Sequence, residues 1–300
     1  MKRMRKIAAV LLALALMLSL AACGSFETRM AKAARKMEKL QSWRMDMDMD
    51  MEMSMGLLGE SVDLDIAVAG TADINSDPLK MKMDMNMQVM GEALNILSYY
   101  EQDGDDYMAY VSPDGGNSWA KQSVDGDQLP VQDVDMSDYT MLLKLASRFE
   151  KTGTETVKGA EATVFSGVIE GEEIGEAVEL SGVLSALGSA LNMDLDDLDE
   201  SSTGAIPTTI AIDNKSGMIV KFTMDMTEIM QNLLPAMLDE MMAEIARESG
   251  LEGFDLGALG FTLDIGRVMV SEVLYDFDAV DAIEIPEAAR SAEELGDIAA

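Results

Sequence analysis

Thioethers and carboxylates in regular alternation mark this sequence. Met45-Asp46-Met47-Asp48-Met49-Asp50-Met51-Glu52-Met53-Ser54-Met55 places methionine at every odd position and a polar residue at every even one. Met81-Lys82-Met83-Asp84-Met85-Asn86-Met87-Gln88-Val89 repeats the device, and Phe222-Thr223-Met224-Asp225-Met226 is a shorter copy. A strand sends alternate side chains to opposite faces of its sheet, so each run separates thioethers from polar groups. Three chemistries fit such rows. Thioethers are soft ligands for Cu(I), an unbranched polarizable side chain adapts to varied apolar partners, and rows of Asp and Glu can collect Ca²⁺.

The pattern weighs these unequally. A copper site needs a few convergent ligands, whereas a long alternation with a second strand like it describes a surface, and there is no His to join the sulfurs. The acidic row Asp46, Asp48, Asp50, Glu52 lacks the Gly and terminal Glu of an EF-hand loop and reads as a solvated face. Periodic apolar residues mean burial, as core or as the wall of a cavity. Met47, Met49, Met51, Met83, Met85, Met87 and Met224 are the candidates for lining a cavity that takes a lipid or another apolar molecule. Their alternative role is ordinary core in a non-catalytic surface protein.

Enzymatic chemistry finds little footing. Without His, a Ser-His-Asp triad, a Cys-His pair and a His-ligated zinc are impossible. The 55 acidic residues make chance carboxylate pairs common, and none stands in a recognisable catalytic frame. Ser112-Pro113-Asp114-Gly115-Gly116-Asn117-Ser118-Trp119 resembles the Asp-box, S-x-D-x-G-x-[ST]-W, a hairpin-stabilising turn that recurs in sialidase propellers away from their active sites. Asp and Gly supply its turn chemistry by themselves. The chain reads as a non-enzyme with no cofactor and no metal.

The N-terminus sets the location. Lys2, Arg3, Arg5 and Lys6 form a basic region, Ile7 to Leu20 is apolar and too short to span a bilayer comfortably, and small residues follow. This leader, residues 1–22, ends in Leu20-Ala21-Ala22-Cys23-Gly24, which resembles the lipobox of bacterial lipoproteins. The resemblance implies cleavage before Cys23, a diacylglycerol on its thiol, and an anchor in the outer leaflet of the cell membrane. Cys23 is the only cysteine, so a chain that lipidates it forms no disulfide. Loss of the four leader cations makes the mature chain four charges more negative than the −33 of the full sequence. So acidic a protein lacks the basic footprint that nucleic acid requires.

The elements follow from period. Phe26, Met30, Ala33, Met37 and Leu40 recur at three- and four-residue steps and predict an amphipathic helix. Its other face carries Arg29, Lys32, Arg35, Lys36 and Lys39, cations that an anionic leaflet attracts by on the order of 1 kcal/mol each. From Trp43 the period is two, predicting strands at Trp43–Met55, Ser61–Asn75, Leu79–Met90, Asn95–Gln102, Asp106–Val111 and Trp119–Val124 in an antiparallel meander. Helices are expected over Asp138–Lys151, Glu172–Leu191 and from a Thr227 cap to Ser249, the last kinked at Pro235. Further strands fall at Ala162–Glu170, Ile206–Asp213, Met218–Met226, Arg267–Phe277 and Ala282–Ile285. A polar tail begins at Pro286.

The lipobox, the helix ending near Ser42-Trp43, the long meander, the hairpin Ile212-Asp213-Asn214-Lys215-Ser216-Gly217-Met218-Ile219-Val220-Lys221 and the closing Ile283-Glu284-Ile285-Pro286 together resemble a family. It comprises Gram-positive lipoproteins of the half-barrel superfamily of the carrier LolA and of mycobacterial LprG and LppX. That resemblance implies an α+β fold, a strongly curved antiparallel sheet (half-barrel) wrapped around or covered by helices, with an apolar cavity between. It divides the chain into a leader (1–22), an acylated N-terminus with its helix (23–42), the half-barrel (43–288) and a tail (289–300).

Overall fold

The computed structural model describes residues 25–57, 60–104, 106–124, 129, 148–170, 204–235 and 261–294. Three helices and twelve strands are present among them. Helix α1 spans Phe26–Met37, followed by β1 (Ser42–Leu57), β2 (Glu60–Ser76), β3 (Leu79–Val89), β4 (Glu92–Asp103), β5 (Asp106–Ser112) and β6 (Ala120–Val124). Then come β7 (Glu150–Val157), β8 (Ala160–Glu170), β9 (Ala205–Asp213), β10 (Ile219–Asp225), a helix α2 over 227–235, β11 (Thr262–Tyr275), α3 (Glu287–Arg290) and β12 (Glu293–Glu294).

All twelve strands join one sheet in the order β12-β6-β5-β4-β3-β2-β1-β11-β10-β9-β8-β7. Every pairing is antiparallel except the short β12–β6 contact, and the sheet is open because its end strands β12 and β7 do not pair with each other. The methionine strand β1 sits in the middle, hydrogen-bonded to β2 on one side and β11 on the other.

One face of this sheet carries the main core. Its buried cluster gathers Phe26, Met30 and Met37 of α1, Met45 and Met51 of β1, Met81 and Met83 of β3, Phe165, Ile210, Met224, Met230, Val268 and Val270. Helix α1 starts where Ser25 Oγ accepts the Thr28 amide, the ordinary way to satisfy an unpaired N–H in a first turn. Its apolar stripe lies on the core face, with the Phe26 ring stacked on Phe149 at 4.6 Å and tilted against Phe165 at 5.2 Å. Gly167 makes room for that stack: a Cβ there would lie 2.8 Å from Phe149 Cγ.

Several expectations change. Glu150 and Lys151 belong to strand β7 rather than to a helix ending at Lys151. Ala282–Ile285 is not a strand but an irregular strap that buries Ile283 and Ile285 against Tyr99 and Tyr110. Beyond Pro286, residues 287–290 form α3 and residues 293–294 pair with β6 as β12. Thr227 does not cap α2; its hydroxyl accepts the Val268 amide of β11, and the Asp225 carboxylate takes the Thr227 N–H instead. A wrapping layer of helices is not seen among the described residues, where α1 and α2 alone pack on the core face. The helices expected at Asp138–Lys151 up to residue 147, at Glu172–Leu191 and beyond Pro235 lie outside those residues, as does Cys23.

Candidate functional site

The site with chemical potential is the methionine face. Register places Met47 opposite Gly70 on β2, and Gly70 opposite Met85 on β3. The neighbouring rows are Met45–Ala72–Met83 and Met49–Val68–Met87. Small residues of β2 thus lie between two thioether strands, and the long methionine side chains fill the space above them. At Gly70 the fit is direct: an added Cβ would meet Met85 Cγ at 3.1 Å and Met47 Cε at 3.7 Å.

Burial divides the seven candidate residues. Met51, Met83 and Met224 are buried in the main cluster, Met224 with no exposure at all. Met47, Met49 and Met85 are half-buried and pack against it, and Met87 is half-buried. Half-buried thioethers therefore form a patch across β1 and β3, bounded by buried Met45, Met81 and Met83.

One side chain of this face escaped sequence reasoning. Along β11 the core-facing residues are Val268, Val270, Glu272 and Leu274, and the register sets Glu272 between Met47 of β1 and Phe222 of β10. Val268, Val270, Leu274 and Phe222 are buried in the core. Glu272 makes no hydrogen bond or ion pair among the described residues. It keeps some contact with water, being half-buried, yet protein encloses it closely enough that burial alone pushes its carboxyl from 4.5 to about 7. Glu272 is thus an unpaired carboxyl set among apolar side chains of the core face. The apolar pattern Val268-Met269-Val270 and Val273-Leu274 runs over both faces of β11, so no period revealed which way Glu272 points.

The opposite face of β1 is an ordinary polar surface. Tyr275 donates its hydroxyl to Asp46 at 2.7 Å, Lys158 pairs with the same carboxylate, and Asp48 and Asp50 are exposed. Glu52 reaches Arg267 at 3.9 Å. Among the described residues no group of three or more His, Cys, Asp or Glu could hold a metal.

The Asp-box motif is likewise a turn with its valences used up. Asp114 accepts from the Ser118 amide at 2.8 Å, the Ser118 hydroxyl at 2.7 Å, the Asn117 amide and the Ser112 hydroxyl. Those bonds, led by the Ser118 hydroxyl, hold its carboxyl down at about 2. Gly115 and Gly116 take positive φ, and Trp119 donates Nε1–H to Gly116 O while its ring lies 5.8 Å from Tyr99.

The cationic side of α1 is partly spent inside the molecule. Arg29 donates to Asn214 Oδ1 at 3.2 Å, and Lys36 donates to Ser216 O, both in the hairpin between β9 and β10. Asp213 builds that hairpin by accepting the Ser216 and Lys215 amides, with Gly217 at φ 71°. Lys32, Arg35 and Lys39 remain exposed.

The fold and site define an open, mainly antiparallel sheet with an apolar, methionine-rich face. The chain belongs to DUF6612, a family of unknown function, whose model matches residues 25–244. Among solved structures it is similar to lipoprotein LppX of Mycobacterium tuberculosis, at 13% identity over 85% of this chain and 98% of that one, with a TM-score of 0.39. It is also similar to LprF of Mycobacterium bovis, at 14% identity over 89% of this chain and 100% of that one, with a TM-score of 0.42. No curated protein matches the sequence.

Proposed function

We propose that this protein is a lipoprotein anchored through a diacylglycerol on Cys23 to the extracytoplasmic face of the cell membrane, and that its methionine face binds or carries a lipid or another hydrophobic ligand. The observation that carries this reading is the half-buried patch of Met47, Met49, Met85 and Met87 beside buried methionines. Covering apolar surface is favourable by roughly 25 cal/mol per Å². Thioethers suit a ligand of variable shape because they adjust without strain. Nothing in the reaction chemistry of the chain is required: the work is burial of ligand surface.

The exposed Lys32, Arg35 and Lys39 follow the proposed anchor by nine to sixteen residues and hold the domain against an anionic leaflet. In cells, palmitate label incorporated into the wild-type chain is expected to vanish with Cys23→Ser. The ligand reading is tested on the chain from Gly24 onward, which holds every described element. Native mass spectrometry is expected to find a co-purifying lipid or, after delipidation, uptake of the neutral dye Nile red. A compact protein that is empty and takes up no dye would leave the methionines as ordinary core.

A further inference from the structure

Glu272 is the one acidic side chain on an otherwise apolar stretch of the central face. Its neighbours along β11 are Val270 and Leu274, and across the strands Phe222 and Met47. Beyond Met47 lie Gly70 and Met85, whose side-chain space the two thioethers share. No Lys or Arg of β1, β10 or β11 shares this face beside it; the core-facing residues there are Met45, Met47, Met49, Phe222, Met224, Val270 and Leu274. A carboxylate placed among apolar groups without a partner is costly, and Leu or Val at this position would stabilise the sheet. Elsewhere the chain partners its half-buried carboxylates: Glu101 has Arg290 and Tyr110, and Asp46 has Lys158 and Tyr275.

We propose that Glu272 receives the head group of an amphiphile whose polar end is a hydrogen-bond-donating cation, a primary ammonium, while the alkyl part lies over Met47, Met49, Met85 and Met87. This rests on the apolar-ligand reading above and names the ligand class for the same site. An ammonium supplies both the charge and the donors that the carboxylate lacks. A fatty-acid carboxylate would meet a like charge and find no basic side chain on this stretch. The enclosure that raises the Glu272 carboxyl to about 7 is relieved when a cation sits beside it, so ligand binding and ionisation of Glu272 support each other. The acidic chain as a whole also attracts cations to its surface.

The test uses three twelve-carbon probes, dodecylamine, 1-dodecanol and dodecanoate, each displacing Nile red from the chain beginning at Gly24 at pH 7.5. In the wild type, dodecylamine is expected to bind at least about tenfold more tightly than dodecanoate, with dodecanol between. Glu272→Gln, an isosteric change, and Glu272→Leu, which suits the apolar surroundings, are both expected to weaken dodecylamine about tenfold and to leave dodecanol within about threefold. The diffuse attraction of the acidic protein is common to all three chains and falls with salt, so the difference between wild type and variants isolates Glu272. An amine-to-carboxylate ratio unchanged in both variants overturns the proposal while leaving apolar binding intact. Failure of all three probes and of Nile red to bind overturns both.

Discussion

Glu101 and Glu272 are both half-buried glutamates on the same sheet, and they are treated in opposite ways. Glu101 lies on the face away from the methionines, under the strap formed by Ile283, Ile285 and α3. Burial alone would raise its carboxyl. Bidentate hydrogen bonds from Arg290 at 2.7 and 3.0 Å, the Tyr110 hydroxyl at 2.9 Å and the charge of Lys80 at 3.6 Å outweigh that and lower it. Glu272 has the burial without the partners, and its carboxyl rises to about 7. A charge that serves structure is matched from within the chain; Glu272 is left unmatched on an apolar face.

Met224 is wholly buried in the methionine face, so Met224→Ala should cost about 3 kcal/mol of stability in chemical denaturation. A loss below about 1 kcal/mol would mean that this part of the face is not tightly packed.

Next is the pH response of Glu272. Its folded carboxyl holds a proton more tightly than the unfolded one, so the folded state binds more protons between about pH 4.5 and 7. Stability due to this group is therefore full below pH 4.5 and declines as pH rises to 7. The decline is on the order of 1–3 kcal/mol, the lower end reflecting water that still reaches the side chain. Glu272→Gln should flatten that slope in denaturation curves measured at pH 5 and 7.5. An identical slope in both chains would show that Glu272 is not enclosed.

Glu101 behaves with the reverse sign. Its lowered carboxyl contributes stability above the unfolded value near 4.5 and loses it as pH falls further. Arg290→Ala should cost about 1 kcal/mol at pH 7, since Arg290 is nearly half exposed, and little at pH 3. The smallest effect is at Gly70. A valine there must shift Met85 and fill the space between two thioether strands, at a stability cost near 1 kcal/mol, while weakening Nile red uptake.

Much of this fold was legible in the residues. The two-residue period gave the strands from β1 to β6, and the three- and four-residue period gave α1, because one buried face forces each pattern. Strand β7 was missed because Glu150–Val157 is an edge strand rich in Thr, Lys and Glu with almost no apolar face. The strap at Ala282–Ile285 imitated a strand because Ile283 and Ile285 alternate, yet they bury against Tyr99 and Tyr110 without joining the sheet. For the site, the sequence showed that methionines share a face but not which of them the packing covers. Glu272 was invisible because its orientation follows from the register with Met47, a fact of pairing over long distance rather than of local pattern.

Thioether oxidation tests residue by residue whether the half-buried methionines form a ligand surface. Dilute peroxide converts accessible Met to its sulfoxide, and peptide mass spectrometry reports each rate. In the delipidated chain, Met47, Met49, Met85 and Met87 should oxidise faster than Met51, Met83 and Met224. With Nile red or the co-purified lipid bound, the first four should slow while the last three stay as they were. Equal rates with and without bound ligand at Met47, Met49, Met85 and Met87 would show that these four side chains do not line a ligand surface.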